Sequence, residues 1–97
     1  MSEIGINEEY IYVKSRDKTR YIRECILRFH KGVKKIHVKA WGNMIPNAID
    51  IVMTIKRSFM PDLVIENIEI GFESIANRRK GKLINTSFID ITIRRGI

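Results

Sequence analysis

The sequence predicts a two-layer α/β sandwich in the order β-α-β-α-β-β, with two helices on one face of a four-stranded mixed sheet and a long projecting β-hairpin. Three observations carry this reading. Isoleucine occurs 19 times and leucine 3 times, and β-branched side chains suit a pleated surface. Residues 18–31 place apolar groups at helical spacing. Near the C-terminus, two long alternating runs flank a short basic connector.

Residues 1–9 are expected as a flexible N-terminus, followed by a short strand at Tyr10-Ile11-Tyr12-Val13. Asp17 then stands as an N-cap candidate for a helix from Lys18 to Lys31. Tyr21, Ile22, Cys25, Ile26 and Phe29 form its apolar face, while Arg20, Arg23, Glu24, Arg28 and Lys31 lie opposite. Gly32 supplies the stop, with His30 and Lys31 in the last turn, where cations suit the dipole. Lys35 to Ala40 alternates as a strand with Ile36, Val38 and Ala40 inward.

Trp41-Gly42-Asn43 reads as a turn, and Pro46 sits in the first turn of a second helix, from about Ile45 to Phe59 and ending before Pro61. This helix is apolar at Ile45, Ala48, Ile49, Val52 and Phe59, and also at Ile51, Met53 and Ile55. That is wider than one core-facing stripe and predicts a second subunit over its other side. Ile51, Ile55 and Phe59 are the candidate dimer or dimer–dimer contacts. Leu63 to Ile75 reads as a long strand with Ile68, Ile70 and Phe72 on one face. Leu83 to Arg95 matches it, with Ile89, Ile91 and Ile93 inward and Asp90, Thr92 and Arg94 outward. The polar connector, Ala76 to Lys82, has nothing apolar to hold it down and is expected to project.

At 97 residues the whole chain, 1–97, is expected to form a single domain. Its formal net charge is +7, and an apolar fraction of 44% excludes a disordered polycation. No apolar run approaches the roughly 20 residues of a membrane span, and none follows Met-Ser-Glu as a secretory leader requires. The lone Cys25 cannot form an internal disulfide, which favours a reducing, intracellular setting. The charge is segregated. Ten basic residues and two acids lie between Lys14 and Lys39, whereas Asp62 to Glu73 holds four acids and no base. Basic residues return at Arg78-Arg79-Lys80-Gly81-Lys82 and Arg94-Arg95. Such segregation makes a positive side that attracts phosphate polymers.

The segment Lys39-Ala40-Trp41-Gly42-Asn43-Met44-Ile45-Pro46-Asn47-Ala48-Ile49-Asp50, followed by Phe59-Met60-Pro61-Asp62, resembles the signature of the Alba family of archaeal chromatin proteins. The resemblance spans Tyr10 to Arg95. It implies a homodimer, or a heterodimer with another Alba protein, that coats and compacts double-stranded DNA without sequence specificity and also binds RNA. It assigns Arg78, Arg79, Lys80 and Lys82 to hairpin arms along the minor groove. The body contacts it implies are Lys14, Ser15 and Arg16, with Asn43 from the next loop, and Lys18 and Arg20 adjoin them. Phe59 takes the position that packs dimer against dimer.

Two departures stand out. Ser15-Arg16 replaces the family's usual lysine pair, which leaves a lysine-acetylation switch there without its residue. Trp41 and Asn43 stand where arginines are usual, a pattern similar to a divergent second paralogue that pairs with a main one. Core or interface packing is the expectation for Trp41, ahead of stacking on a base.

Catalysis finds little footing. His30, His37 and Cys25 do not supply a metal-ligand set, and no cofactor is expected. Cys25 and His30, five positions apart on a helix, point away from one another. Glu66, Glu69, Glu73 and Asp90 read as a solvated sheet face rather than a nuclease pair. No phosphate-binding glycine loop occurs. The chain is therefore expected to be a non-enzymatic, chromosome-associated DNA-binding protein with no membrane or small-molecule partner. An RNA-binding subunit or chaperone, and a heterodimer partner that modulates assembly, are the alternatives.

Overall fold

The computed structural model describes residues 8–77, 79 and 81–96. Chain order is β1 (Glu8–Tyr12), α1 (Lys18–His30), β2 (Lys35–Trp41), a short 3-10 turn (Gly42–Met44), α2 (Ile45–Thr54), a wide π turn (Ile55–Phe59), β3 (Val64–Asn77) and β4 (Lys82–Arg94). The four strands form one sheet in the order β1-β2-β4-β3. β1 pairs parallel with β2, while β4 runs antiparallel to both β2 and β3. This is the predicted α/β architecture. β1 starts two residues earlier than expected, so Glu8 and Glu9 belong to the sheet rather than to a flexible N-terminus, and residues 1–7 lie outside the described residues.

The caps of α1 follow the sequence. The Asp17 carboxylate accepts the Arg20 N–H at 3.3 Å, and Gly32 adopts φ +100° just past the C-cap, a left-handed conformation open to glycine. Tyr21, Cys25 and Phe29 point into the core, against Ile36, Val38 and Ala40 of β2 and Ile89, Ile91 and Ile93 of β4. Burial pushes the Cys25 thiol up to about 12, as an inert core group.

The phase of α2 corrects one expectation. Ile51 and Ile55, proposed from the sequence as partner contacts, are 0% exposed in the core. With Ala48 and Val52 they form an i, i+3, i+4, i+7 stripe that packs on β2 and β4. Ile49 and Met53 are the large hydrophobic residues of α2 left exposed. Beyond Ile55 the backbone widens, and Met60 donates its N–H to the Ile55 carbonyl five residues back, at 2.7 Å. The wide turn leaves Phe59 exposed, not core-facing.

The sheet face opposite the helices carries ordered cross-strand rows. Lys35 pairs with Glu66 at 2.8 Å, and Glu66, at a β-bulge of β3, also takes Arg94 at 3.2 Å. Lys39 pairs with Glu73 at 2.9 Å. His37 bridges three strands: Nε2 to Glu8 of β1 at 2.8 Å, Nδ1 to Asp90 of β4 at 3.0 Å, with Thr92 Oγ1 at 3.2 Å and the Tyr10 ring stacked on it. Asp90 and Thr92 are thus outward-facing, as expected, yet buried beneath this network. Gly71 leaves room for Phe88 opposite it, since a Cβ there would lie 3.1 Å from the ring.

Burial pulls the His37 pKa down, but its hydrogen bonds and attraction to Glu8 and Asp90 outweigh that, and the net shift is upward. A group raised in the folded state stabilises fully below its unfolded value, near 6.5, and loses that contribution as pH rises through the folded value. Urea unfolding should therefore show stability falling as pH climbs from about 6 to 8, and His37→Gln should flatten the fall. Separately, Ile55→Ala should cost about 2–5 kcal/mol by the same assay, since it removes buried apolar volume.

Candidate nucleic-acid interface

The parallel pairing of β1 with β2 brings both C-terminal ends to one edge of the sheet, and the antiparallel β4 brings the β3–β4 hairpin there too. The loop after β1, the N-terminus of α1, the Gly42–Met44 turn and the hairpin therefore share one end of the molecule. Gly42 adopts φ +56°, and a Cβ there would lie 3.7 Å from Thr86 at the hairpin base. This places the exposed Asn43 beside the hairpin.

The first loop is anchored from below. The Lys14 N–H donates to the Tyr21 hydroxyl at 3.0 Å, Ser15 Oγ lies 3.4 Å from the same hydroxyl, and the Lys18 N–H reaches the Arg16 carbonyl at 2.9 Å. Burial would raise the Tyr21 pKa, but the bonds from Ser15 and Lys14 and the nearby Arg20 charge hold it below the usual phenol value. The backbone is thus fixed while Lys14 and Arg16 stay exposed. No carboxylate among the described residues pairs with either. Lys18 differs, being held by Asp50 at 2.9 Å, and Arg20 lies over the Tyr21 ring at 5.5 Å. Exposed pairs of the Lys18 kind are weak, so a phosphate can displace Asp50.

In the hairpin, Arg79 is exposed and its N–H donates to Asn77 Oδ1 at 2.9 Å. Gly81 closes the turn with φ +62°, and exposed Lys82 opens β4. Arg78 and Lys80 lie outside the described residues. The structure thus brings Lys14, Ser15, Arg16, Lys18, Arg20 and Asn43 to one end, with Arg79 and Lys82 at the arm.

Of the two kinds of packing expected for Trp41, core or interface, the structure excludes the core. Trp41 ends β2 on the face away from the helices, half-buried, with Nε1 donating to Glu73 at 2.8 Å and its ring stacked on Tyr12. Strand parity predicts this, because Ile36, Val38 and Ala40 inward leave Trp41 outward. Tyr10 and Tyr12, exposed on the same face, are functional candidates that charge and motif do not signal; their alternation with buried Ile11 and Val13 does.

On the helix side, β3 outruns its cover. Ile68, Ile70 and Phe72 are 56%, 75% and 74% exposed. Ile68 borders, with Ile49 and Met53 of α2, an apolar hollow of about 140 Å³ floored by Ile89 and Ile91, and Ile70 and Phe72 continue the exposed row beyond it along β3. Exposed Phe59 instead lines a separate groove with Ile22, Ile26 and Leu27 of α1.

The sequence model of the Alba family matches residues 9–72. The DNA/RNA-binding protein Alba of Methanocella arvoryzae is 31% identical over 88 residues, covering 91% of each chain. The protein of the same name from Thermoplasma acidophilum is 30% identical, over 91% of this chain and 97% of its own. Among solved structures, Alba from Thermoplasma volcanium superposes with a TM-score of 0.81 at 29% identity, over 89% of this chain and 99% of that one. An Alba protein of Trypanosoma brucei shares the fold, with a TM-score of 0.73 at 21% identity over 93% of this chain and 69% of that one.

Tyr21→Phe keeps the buried ring and removes the acceptor that holds Lys14. It should weaken nucleic-acid binding about two- to fivefold, the scale of one modest hydrogen bond. Fluorescence anisotropy of labelled duplex DNA checks this, with far-UV circular dichroism expected to stay unchanged.

Proposed function

The chain belongs to the Alba family, and from that premise we propose that it is an architectural nucleic-acid-binding protein that grips the sugar-phosphate backbone of duplex DNA, and of RNA, without reading sequence. The observation that carries the reading is the anchored loop: Lys14 and Arg16 exposed, unpaired among the described residues, on a backbone fixed by Tyr21. Cations presented this way neutralise phosphates and release counterions, which needs no base contact. Asn43 and the first turn of α1 extend the body contact through Lys18 and Arg20. The hairpin arm contributes Arg79 and Lys82, with Arg78 and Lys80 adjoining them in the sequence, since a narrow groove favours arginine. The names of the Methanocella and Thermoplasma relatives support both nucleic acids as ligands.

The apolar surface of Ile49, Met53, Ile68, Ile70 and Phe72 supports a dimer formed across α2 and β3, since monomers rarely leave contiguous apolar area in water. Phe59 serves a separate contact between dimers. The same chemistry argues for binding rather than catalysis. The Cys25 thiol is buried, and Glu66, Glu73 and Asp90 are each engaged by Lys35, Lys39 or His37. Such a protein would act at the chromosome, inside the cell. A second reading, in which the chain modifies another Alba protein as a heterodimer partner, is favoured by Trp41 and Asn43 in place of arginines.

Affinity for duplex DNA, duplex RNA and single strands, measured over a range of salt, tests the proposal. Log affinity should fall linearly with log salt at about −0.9 per phosphate neutralised on duplex DNA. Replacing Arg78, Arg79 and Lys80 with Ala should weaken all duplex sequences alike and flatten that slope. A sequence-dependent loss would defeat it. Ile70→Asp should shift the species seen by analytical ultracentrifugation from dimer to monomer, and a wild-type monomer would refute the dimer.

A further inference from the structure

The sheet face turned away from the helices lies outside that duplex contact. We propose that it carries a second site, a shelf of aromatic rings on which unpaired bases of a single-stranded nucleic acid stack. The proposal deepens the nucleic-acid reading and rests on it for the phosphate contacts.

Tyr10 and Tyr12 of β1 and Trp41 of β2 stand side by side on this face. The Tyr10 and Tyr12 centroids are 5.8 Å apart at 16°, and those of Tyr12 and Trp41 are 5.7 Å apart at 24°. Three neighbouring rings therefore share nearly one orientation, and the two tyrosines are 45% and 44% exposed. Large aromatic side chains ordinarily bury most of their area, so a row of them in water points to a ligand with flat apolar faces. The two outer rings are also held, and Tyr12 lies between them. Trp41 is tied to Glu73 through Nε1, and Lys39 lies 5.3 Å from its ring centroid. Tyr10 rests on His37 at 4.3 Å, and His37 is pinned by Glu8 and Asp90. Rings ordered before binding lose little rotamer freedom when a base arrives.

The flank of the shelf supplies charge for the strand. Tyr10 and Tyr12 line an open groove of about 370 Å³ with Lys14, Ser15, Arg20 and Arg28. The carboxylates nearby are committed: Glu73 to Lys39 and Trp41, Glu8 to His37, and Glu24 to Arg28 at 3.1 Å. Lys14 and Arg20 remain to meet phosphates, so the groove joins the shelf to the duplex-binding loop. In a duplex, base faces are hidden within the stack, and only an unpaired strand can lay them on Tyr12 and Trp41. Charge beside the rings and continuity with the phosphate surface favour this occupant over a protein partner.

Trp41 is the sole tryptophan and reports on its own site. Its emission is to be followed while the full chain is titrated with oligothymidine, oligouridine or a duplex of equal length, at one salt concentration. Both single strands should quench it far more at saturation than the duplex does, and a stronger response to oligouridine would identify RNA as the preferred source of bases. Tyr12→Leu should weaken single-strand binding by about five- to a hundredfold, the value of one stacked base. Tyr12→Phe should retain single-strand binding, and both variants should bind duplex as the wild type does. Equal quenching by duplex and single strands, or a Tyr12→Leu loss shared by both ligands, would overturn the shelf alone. No binding of any nucleic acid would overturn the phosphate surface with it.

Discussion

The controlling constraint is a mismatch of length. A helix rises about 1.5 Å per residue and a strand about 3.3 Å. The 13 residues of α1 therefore cover roughly 20 Å, while the 14 residues of β3 extend about 46 Å. Two helices of this size can roof only the near half of the β3–β4 pair. Within the roofed half, Ile36, Val38, Ile91 and Ile93 are buried against α1 and α2. Past its edge the same alternating pattern continues with nothing above it. Ile68, Ile70 and Phe72 face water, and the hairpin runs on as an arm. Core, exposed apolar surface and arm are successive stretches of one pair of strands.

The two sheet faces divide the remaining work by chemistry. One is a dry core closed by branched side chains, with a buried cysteine among them. The other is a lattice of paired charges whose members neutralise each other across strands: Lys35 with Glu66, Lys39 with Glu73, and His37 with Glu8 and Asp90. Cations on that face are spent locally. Lys14 and Arg16, which no carboxylate among the described residues engages, sit instead on a loop at the sheet's end. Net charge alone overstates the binding surface, because much of the basic content of β2 is matched inside the sheet.

How much of this the sequence discloses depends on how local the cause is. The caps at Asp17 and Gly32, the inward set of β2 and the order of the strands follow from nearest-neighbour geometry, and all are legible. The candidate loop is legible too, as exposed cations between a strand and a capped helix, although the Tyr21 hydroxyl that braces it needs contact across seven residues. The phase of α2 is not legible. Isoleucines at 45, 49, 51 and 55 permit two overlapping stripes, and only packing against β2 and β4 selects between them. Trp41 lay within reach of strand parity, but composition, which expects a lone tryptophan to be buried, pointed the other way. The pairing of Trp41 with Tyr12 joins residues from two strands and emerges only once those strands are set side by side.

The wide turn at Ile55–Phe59 carries a different lesson. Had the helix stayed regular, Phe59 would have followed Ile55 by four residues on the core side. One added residue in the turn rotates that ring outward while the stripe before it stays in register. Chain length, not residue identity, thus decides whether this aromatic belongs to the interior or to the surface. Insertions and deletions between Thr54 and Pro61 would be an evolutionary handle on how copies meet, separable from the substitutions that tune the core.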